Sequence, residues 1–182
     1  MGEVLQVIKE RYSCRSYDGE ALTKEQVEAL AFAAVAAPSA MNKQPWQIVV
    51  VTNKAMIDEM NDTVMDYLSK QEDRTVYERM MGRGGKVFYN APFMMFIAQK
   101  EGTALDTGIV VENVALAATS MGLDNVICGM ARMLFETDKA AYYKETLIPE
   151  GYEFGVAILV GHGTTEGGTP HEPDFSKIRY IQ

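Results

Sequence analysis

The stretch that most constrains this chain is Asp106 to Met121, rich in Ile, Val, Leu and Ala on most sides and interrupted by Glu112, Asn113, Thr119 and Ser120. A surface helix carries one apolar stripe, whereas a helix apolar nearly all round is normally buried. Gly122 supplies its stop, since glycine ends helices without steric cost. Other elements must therefore cover this helix.

Periodicity places the other elements. Val4, Leu5, Ile8 and Tyr12 fit an amphipathic helix over Glu3 to Arg11, and Asp18-Gly19 marks a turn. Thr23-Lys24-Glu25-Gln26 is a capping box: the Thr hydroxyl can accept from a free backbone N–H while Gln26 reaches back. Behind it Val27, Leu30, Ala31, Ala34 and Val35 recur at helical period until Pro38 ends the run. The polar segment 38–46, set between two prolines, leads into a strand, Gln47 to Thr52. Met56, Ile57, Met60, Val64, Tyr67 and Leu68 place a helix from Lys54 to about Lys70, and the charged stretch to Arg83 reads as more helix or a mobile cover. Phe93 to Ala98, Asn125 to Cys128 and Phe154 to Val160 are further strands, and Lys139 to Glu145 is a helix. The sequence 174–181 alternates apolar and basic residues, which suggests an extended arm that could add a strand at a sheet edge. This order fits an α+β or mixed α/β domain around a sheet of about four or five strands.

With 17 basic against 25 acidic residues the chain has a net charge of −8, which argues against nonspecific nucleic-acid binding. It leaves room for a local basic pocket, because charges farther apart than about 8 Å are largely screened at physiological salt. No leader-like segment or membrane-length apolar run is present, so the expected setting is cytoplasmic with no membrane contact. Cys14 and Cys128 suggest neither a disulfide scaffold nor a zinc site and read as reduced thiols, Cys14 as a small packed one. Trp46, at a strand entrance, reads as core. Gly82-Arg83-Gly84-Gly85-Lys86 lacks the spacing of a phosphate-cradling loop and reads as a linker, and Gly161-His162-Gly163 fails as a dinucleotide fingerprint because Pro170 blocks a following helix.

Against this acidic background Lys9 to Tyr17 stands out. Arg11, Ser13 and Arg15 alternate at a helix end, an arrangement of cations and hydroxyls suited to an anion. Taken in order, R-Y-S-C-R at 11–15, A-P-S-A-M-N-K-Q-P-W at 37–46, the Ala91-Pro92 strand, M-G-L-D-N-V-I-C-G at 121–129 and K-I-R at 177–179 resemble the FMN-dependent nitroreductase family over almost the whole chain.

The resemblance implies an α+β nitroreductase-like fold: a central, mainly antiparallel sheet flanked by helices, residues 1–182 as one FMN-binding domain, and 161–182 as a C-terminal arm exchanged in a homodimer. It implies two FMN sites at the subunit interface. Arg11 and Ser13 would bind the FMN phosphate, with Tyr12 alongside and Lys177 and Arg179 as further partners. Tyr12 stands where the family usually has a basic residue, so phosphate binding should weaken unless Arg179 compensates. Arg15 would face the pyrimidine side of the flavin, where a fixed cation favours the reduced, negatively charged ring and raises its potential. Pro38, Ser39, Ala40 and Asn42 of the other subunit would lie against ring and ribityl chain, backbone groups of Cys128 and Gly129 would reach N5 and O4, and Lys86 is a further candidate for the pyrimidine edge.

The activity implied is ping-pong transfer from NADH or NADPH through FMN to a nitroaromatic, quinone or similar small acceptor, which needs little acid–base machinery and suits a chain with two histidines. Two other readings stay open: a flavin-binding storage or sensing protein without robust turnover, and a family member acting in reductive dehalogenation or dehydrogenation.

Overall fold

The computed structural model describes residues 2–165 and 167–181. Its elements follow the order α1 (Glu3–Glu10), α2 (Lys24–Val35), β1 (Trp46–Val51), α3 (Lys54–Ser69), α4 (Thr75–Met81), β2 (Phe93–Gln99), α5 (Ala104–Ser120), β3 (Asp124–Cys128), α6 (Ala140–Leu147) and β4 (Glu153–Gly161). The four strands form one sheet in the order β1-β2-β4-β3, and every neighbouring pair is antiparallel.

Side chains alternate across a strand, so β2 and β4 at the centre of the sheet must be apolar on both faces. Phe93, Met95 and Ile97 of β2, with Ile158 and Val160 of β4, meet Leu30 and Ala34 of α2 and Val110, Val114 and Ala118 of α5. Met94, Phe96 and Ala98, with Ala157 and Leu159, pack on the opposite face against Ile57, Met60 and Val64 of α3 and Tyr143 of α6. The fold is thus three-layered, with α2 and α5 on one face of the sheet and α3, α4 and α6 on the other. Burying each large apolar side chain stabilises by roughly 1.5–3 kcal/mol.

The long helix is buried through Val110, Val111, Val114, Ala115 and Ala118, as its composition requires, while Leu105 near its start is 79% exposed. Trp46 is core. The capping box at Thr23 forms in both directions, with Gln26 N donating to Thr23 Oγ1 at 3.2 Å and Thr23 N donating to Gln26 Oε1 at 2.8 Å. The charged stretch after α3 resolves into a further helix, α4, anchored by the buried Met80.

The two ends of the chain add little to this core. Helix α1 is amphipathic, but it buries no residue: Val4, Leu5 and Ile8 stay exposed. The alternating C-terminal segment adds no strand to this chain's sheet; residues 168–181 are exposed and, among the described residues, form only a short turn at Phe175–Lys177. Pro170 and Pro173, which lack the N–H a ladder needs, stand just ahead of that stretch. The outer edge of β3 is also occupied already, because Ser13 bridges Asn125 and Cys14 N donates to Asn125 O at 2.9 Å.

Between α4 and β2 the chain is pinned by one buried side chain. Asn61 of α3, 3% exposed, accepts from Val87 N at 2.7 Å and Phe88 N at 3.4 Å through Oδ1, and donates from Nδ2 to Gly85 O at 3.3 Å. Replacing it by leucine leaves buried backbone groups unpaired. Asn61→Leu is expected to lower unfolding free energy by about 2–3 kcal/mol in denaturant titrations, and a change under about 0.5 kcal/mol would contradict this account.

Candidate active site

The edge occupied by Ser13 and Cys14 fixes where the basic segment points. Beyond the bridge, Arg15 N donates to Gly167 O at 2.9 Å, Tyr17 N to Tyr89 O at 3.0 Å and Asp18 N to His162 O at 3.1 Å. The segment is therefore stitched between β3, the residues after β4 and the loop that Asn61 holds.

Its interior is tightly packed. Cys14 is fully buried, its thiol donating to Ser16 O at 3.3 Å, and burial raises its pKa. A Cβ at Gly163 or Gly167 would come 2.9 or 2.6 Å from that sulfur. The glycines after β4 that superficially suggest a dinucleotide site are thus there for close packing. Gly163 N donates to Asp124 Oδ2 at 3.0 Å. Asp124 also takes the Tyr12 hydroxyl, and burial, followed by this bond, raises the pKa of Tyr12 well above its ordinary value.

Arg15 itself is exposed, its guanidinium donating to Ser13 O at 3.1 Å. It lines a cleft of about 320 Å³ together with Arg79, Met80, Arg83, Tyr89, Val126, Ile127, Cys128, Gly129 and Met130. Three residues singled out from sequence, Arg15, Cys128 and Gly129, are thereby brought together across more than 100 positions of chain. Cys128 is buried and its thiol is pushed up to about 11, chiefly by desolvation, while the backbone N–H groups of Met130 and Ala131 donate to the sulfur. Those bonds anchor the turn after β3. A Cβ at Gly129 would meet nothing within 4 Å, so the backbone there borders open space.

The sequence reading missed Arg79 and Arg83. Their spacing of four was a usable signal, because α4 and the turn continuing it, with Arg83 N donating to Met80 O at 2.9 Å, put both on one side.

The remaining candidates lie elsewhere. Arg11 ends α1, its N–H donating to Val7 O at 2.9 Å. Lys86 is half-buried in the loop pinned by Asn61 and is not among the residues lining the cleft. Pro38, Ser39, Ala40 and Asn42 lead into β1, at the opposite edge of the sheet from β3. That loop is preformed: Gln44 N donates to Ser39 Oγ at 2.8 Å, Gln44 Nε2 to Asn42 Oδ1 at 2.9 Å and Ala40 N to Asp106 Oδ1 at 3.4 Å. Met41, Asn42 and Gln44 hold φ values of 54°, 53° and 46°, a left-handed conformation that costs side-chain-bearing residues energy and clusters at functional sites. In the arm, Lys177 pairs only with Asp174, at 3.7 Å, and among the described residues the Arg179 guanidinium has no hydrogen-bond or ion-pair partner. A single chain therefore gathers Arg15, Cys128 and Gly129 and leaves the 38–42 loop and the arm's cations apart from them.

Comparison with known proteins is consistent across the chain. The sequence profile of the nitroreductase family matches residues 8–162. A crystal structure of a nitroreductase with bound FMN from Desulfitobacterium hafniense DCB-2 superimposes with a TM-score of 0.94 at 42% identity, over 100% of both chains. An FMN-dependent nitroreductase of Clostridium difficile R20291 gives a TM-score of 0.79 at 28% identity, over 99% of each chain. A protein of Archaeoglobus fulgidus, provisionally named an NADH dehydrogenase/NAD(P)H nitroreductase, is 28% identical over 130 residues, 71% of this chain and 69% of its own length. With its antiparallel α+β sheet and a profile match spanning most of its length, the chain belongs to the nitroreductase family.

Proposed function

We propose that this protein binds FMN and acts as an oxidoreductase that takes reducing equivalents from NADH or NADPH and delivers them to a nitroaromatic, quinone or related small acceptor. The observation that carries this reading is the convergence of Arg15 with the Cys128–Gly129 turn on one cleft. Its lining suits an anionic heterocycle: arginine side chains, Val126, Met80 and Met130 as apolar surface, and open space beside Gly129. When bound, FMN supplies a two-electron carrier able to accept and release hydride.

The chain's own residues divide the remaining work. Arg15, held by Ser13 O, is the fixed cation for the pyrimidine edge, with Lys86 as a second candidate. The anchored turn at Cys128 and Gly129 presents backbone groups to the opposite ring edge. The Cys128 thiol stays protonated and serves as an anchor, not a nucleophile. Arg11 and Ser13 hold the phosphate, with Lys177 and Arg179. Tyr12, engaged by Asp124, contributes by shaping this segment.

Pro38, Ser39, Ala40 and Asn42 complete the site from a second copy of the chain, because they and the cleft lie at opposite sheet edges. An exposed apolar surface supports this homodimer: Val4, Leu5 and Ile8 of α1, Phe32 (72% exposed) and Val35 of α2, and the arm residues Phe175, Ile178 and Ile181. No described helix is long and apolar enough to cross a membrane. Free Cys14 and Cys128 suit a cytoplasmic setting, where thiols stay reduced.

Purified protein is expected to be yellow, or to become so on adding FMN, and to bleach rapidly on anaerobic mixing with NADH or NADPH; a colourless preparation that takes up no FMN refutes the reading. Arg15→Ala should slow bleaching by roughly 10-fold or more with flavin still bound, whereas Arg11→Ala should chiefly lose FMN; equal bleaching rates for saturated Arg15→Ala and parent would remove the electrostatic role. Sedimentation should give a particle of about twice the 20.2 kDa chain mass, and an active, FMN-loaded monomer would contradict the shared site.

A further inference from the structure

Arginine is distributed unusually in this molecule. All five ion pairs among the described residues belong to lysines, namely Lys24, Lys54, Lys70, Lys139 and Lys177. None involves an arginine. Three arginines, Arg15, Arg79 and Arg83, instead line the same cleft, and no carboxylate is among its lining residues. Among the described residues the Arg15 guanidinium donates to Ser13 O alone, and the guanidiniums of Arg79 and Arg83 have no hydrogen-bond or ion-pair partner.

In a chain of net charge −8 this grouping needs a physical reason. Three cations facing one cavity repel each other, and no ion pair among the described residues neutralises them. Long-range repulsion from the acidic surface is screened beyond about 8 Å, so inside the cleft the local arginines set the potential. Arg79 and Arg83 also flank Met80, 1% exposed, so the buried methionine fixes the backbone from which both side chains reach the cleft. Arginine, unlike lysine, offers a planar fork of donors matched to the paired oxygens of carboxylate or phosphate.

We propose that Arg79 and Arg83 form, beside Arg15, a recognition site for an anionic oxygen group, carboxylate or phosphate, on the molecule that enters the cleft. This rests on the reading of the cleft as the oxidoreductase site and adds what that site selects: a negatively charged partner in preference to its neutral counterpart. Arg15 keeps to the ring edge, while Arg79 on α4 and Arg83 on the turn that continues it lie on a separate segment and remain free for the exchanging partner. The anion has two sources, a carboxylate on the acceptor or an additional phosphate on the nicotinamide donor.

Calorimetric titration of the protein as purified, its visible spectrum recorded first, distinguishes them without turnover. The ligands are two matched pairs, 4-nitrobenzoate against 4-nitrobenzamide and NADP+ against NAD+. The Arg79→Gln/Arg83→Gln double variant is expected to lose roughly 10-fold or more in affinity for the member of one pair that carries the extra carboxylate or phosphate, and to change little for the member that lacks it. A loss confined to 4-nitrobenzoate assigns the site to an acceptor carboxylate, and one confined to NADP+ to the donor's phosphate. The Arg79→Lys/Arg83→Lys variant, which keeps charge and loses the fork, should fall between. Affinities that do not change, or that change equally for both members of each pair, overturn the proposal. A colourless protein that takes up no FMN yet still discriminates 4-nitrobenzoate from 4-nitrobenzamide would sink the oxidoreductase reading and leave the anion site standing.

Discussion

The cleft depends on how the outer edge of β3 is closed. An open strand edge presents unpaired N–H and C=O groups, and here the chain covers it with its own residues 13 and 14. That pairing does two things at once. It protects the edge, and it sets the chain's direction so that Arg15 emerges beside the turn where β3 ends. Without the hydrogen bond from Cys14 N to Asn125 O, nothing in local sequence would hold residue 15 near residue 128.

Much of the fold was legible because burial leaves a periodic trace. The all-round apolar helix, the runs at Phe93–Ala98 and Phe154–Val160 and the box at Thr23 each appear as read, with boundaries shifted by a residue or two. These signals are local and physical: a strand buried on both faces has few polar options, and a capping box closes within four residues. Strand order was another matter. Nothing in residues 38–46 says that they lie at the sheet edge opposite Cys128, because which strands pair is decided by contacts between distant segments.

The site was legible in part for the same reason. Arg15, Cys128 and Gly129 came from an ordered set of motifs, and the fold joins them. Arg83 was read as part of a flexible glycine linker; the turn that continues α4 past Gly82 gives it a fixed place. Tyr12 looked like a lost cation until its hydroxyl met Asp124, a pairing visible only once β3 and the residues after β4 are in position. The amphipathic pattern of α1 was correct, but pattern alone does not say what covers the apolar side, and among the described residues of one chain Val4, Leu5 and Ile8 stay exposed.

The tight seat of Cys14 has an evolutionary side. A Cβ at Gly167 would stand 2.6 Å from its sulfur and one at Gly163 would collide with Asp124 Oδ2, so any side chain larger than hydrogen at either place forces Cys14 or Asp124 to shift. Residue 14 has no free space to grow into either, since Cys14 is fully buried. The freedom of the N-terminal motif to drift is thus set by residues some 150 positions downstream, and lineages should change these sites together or not at all.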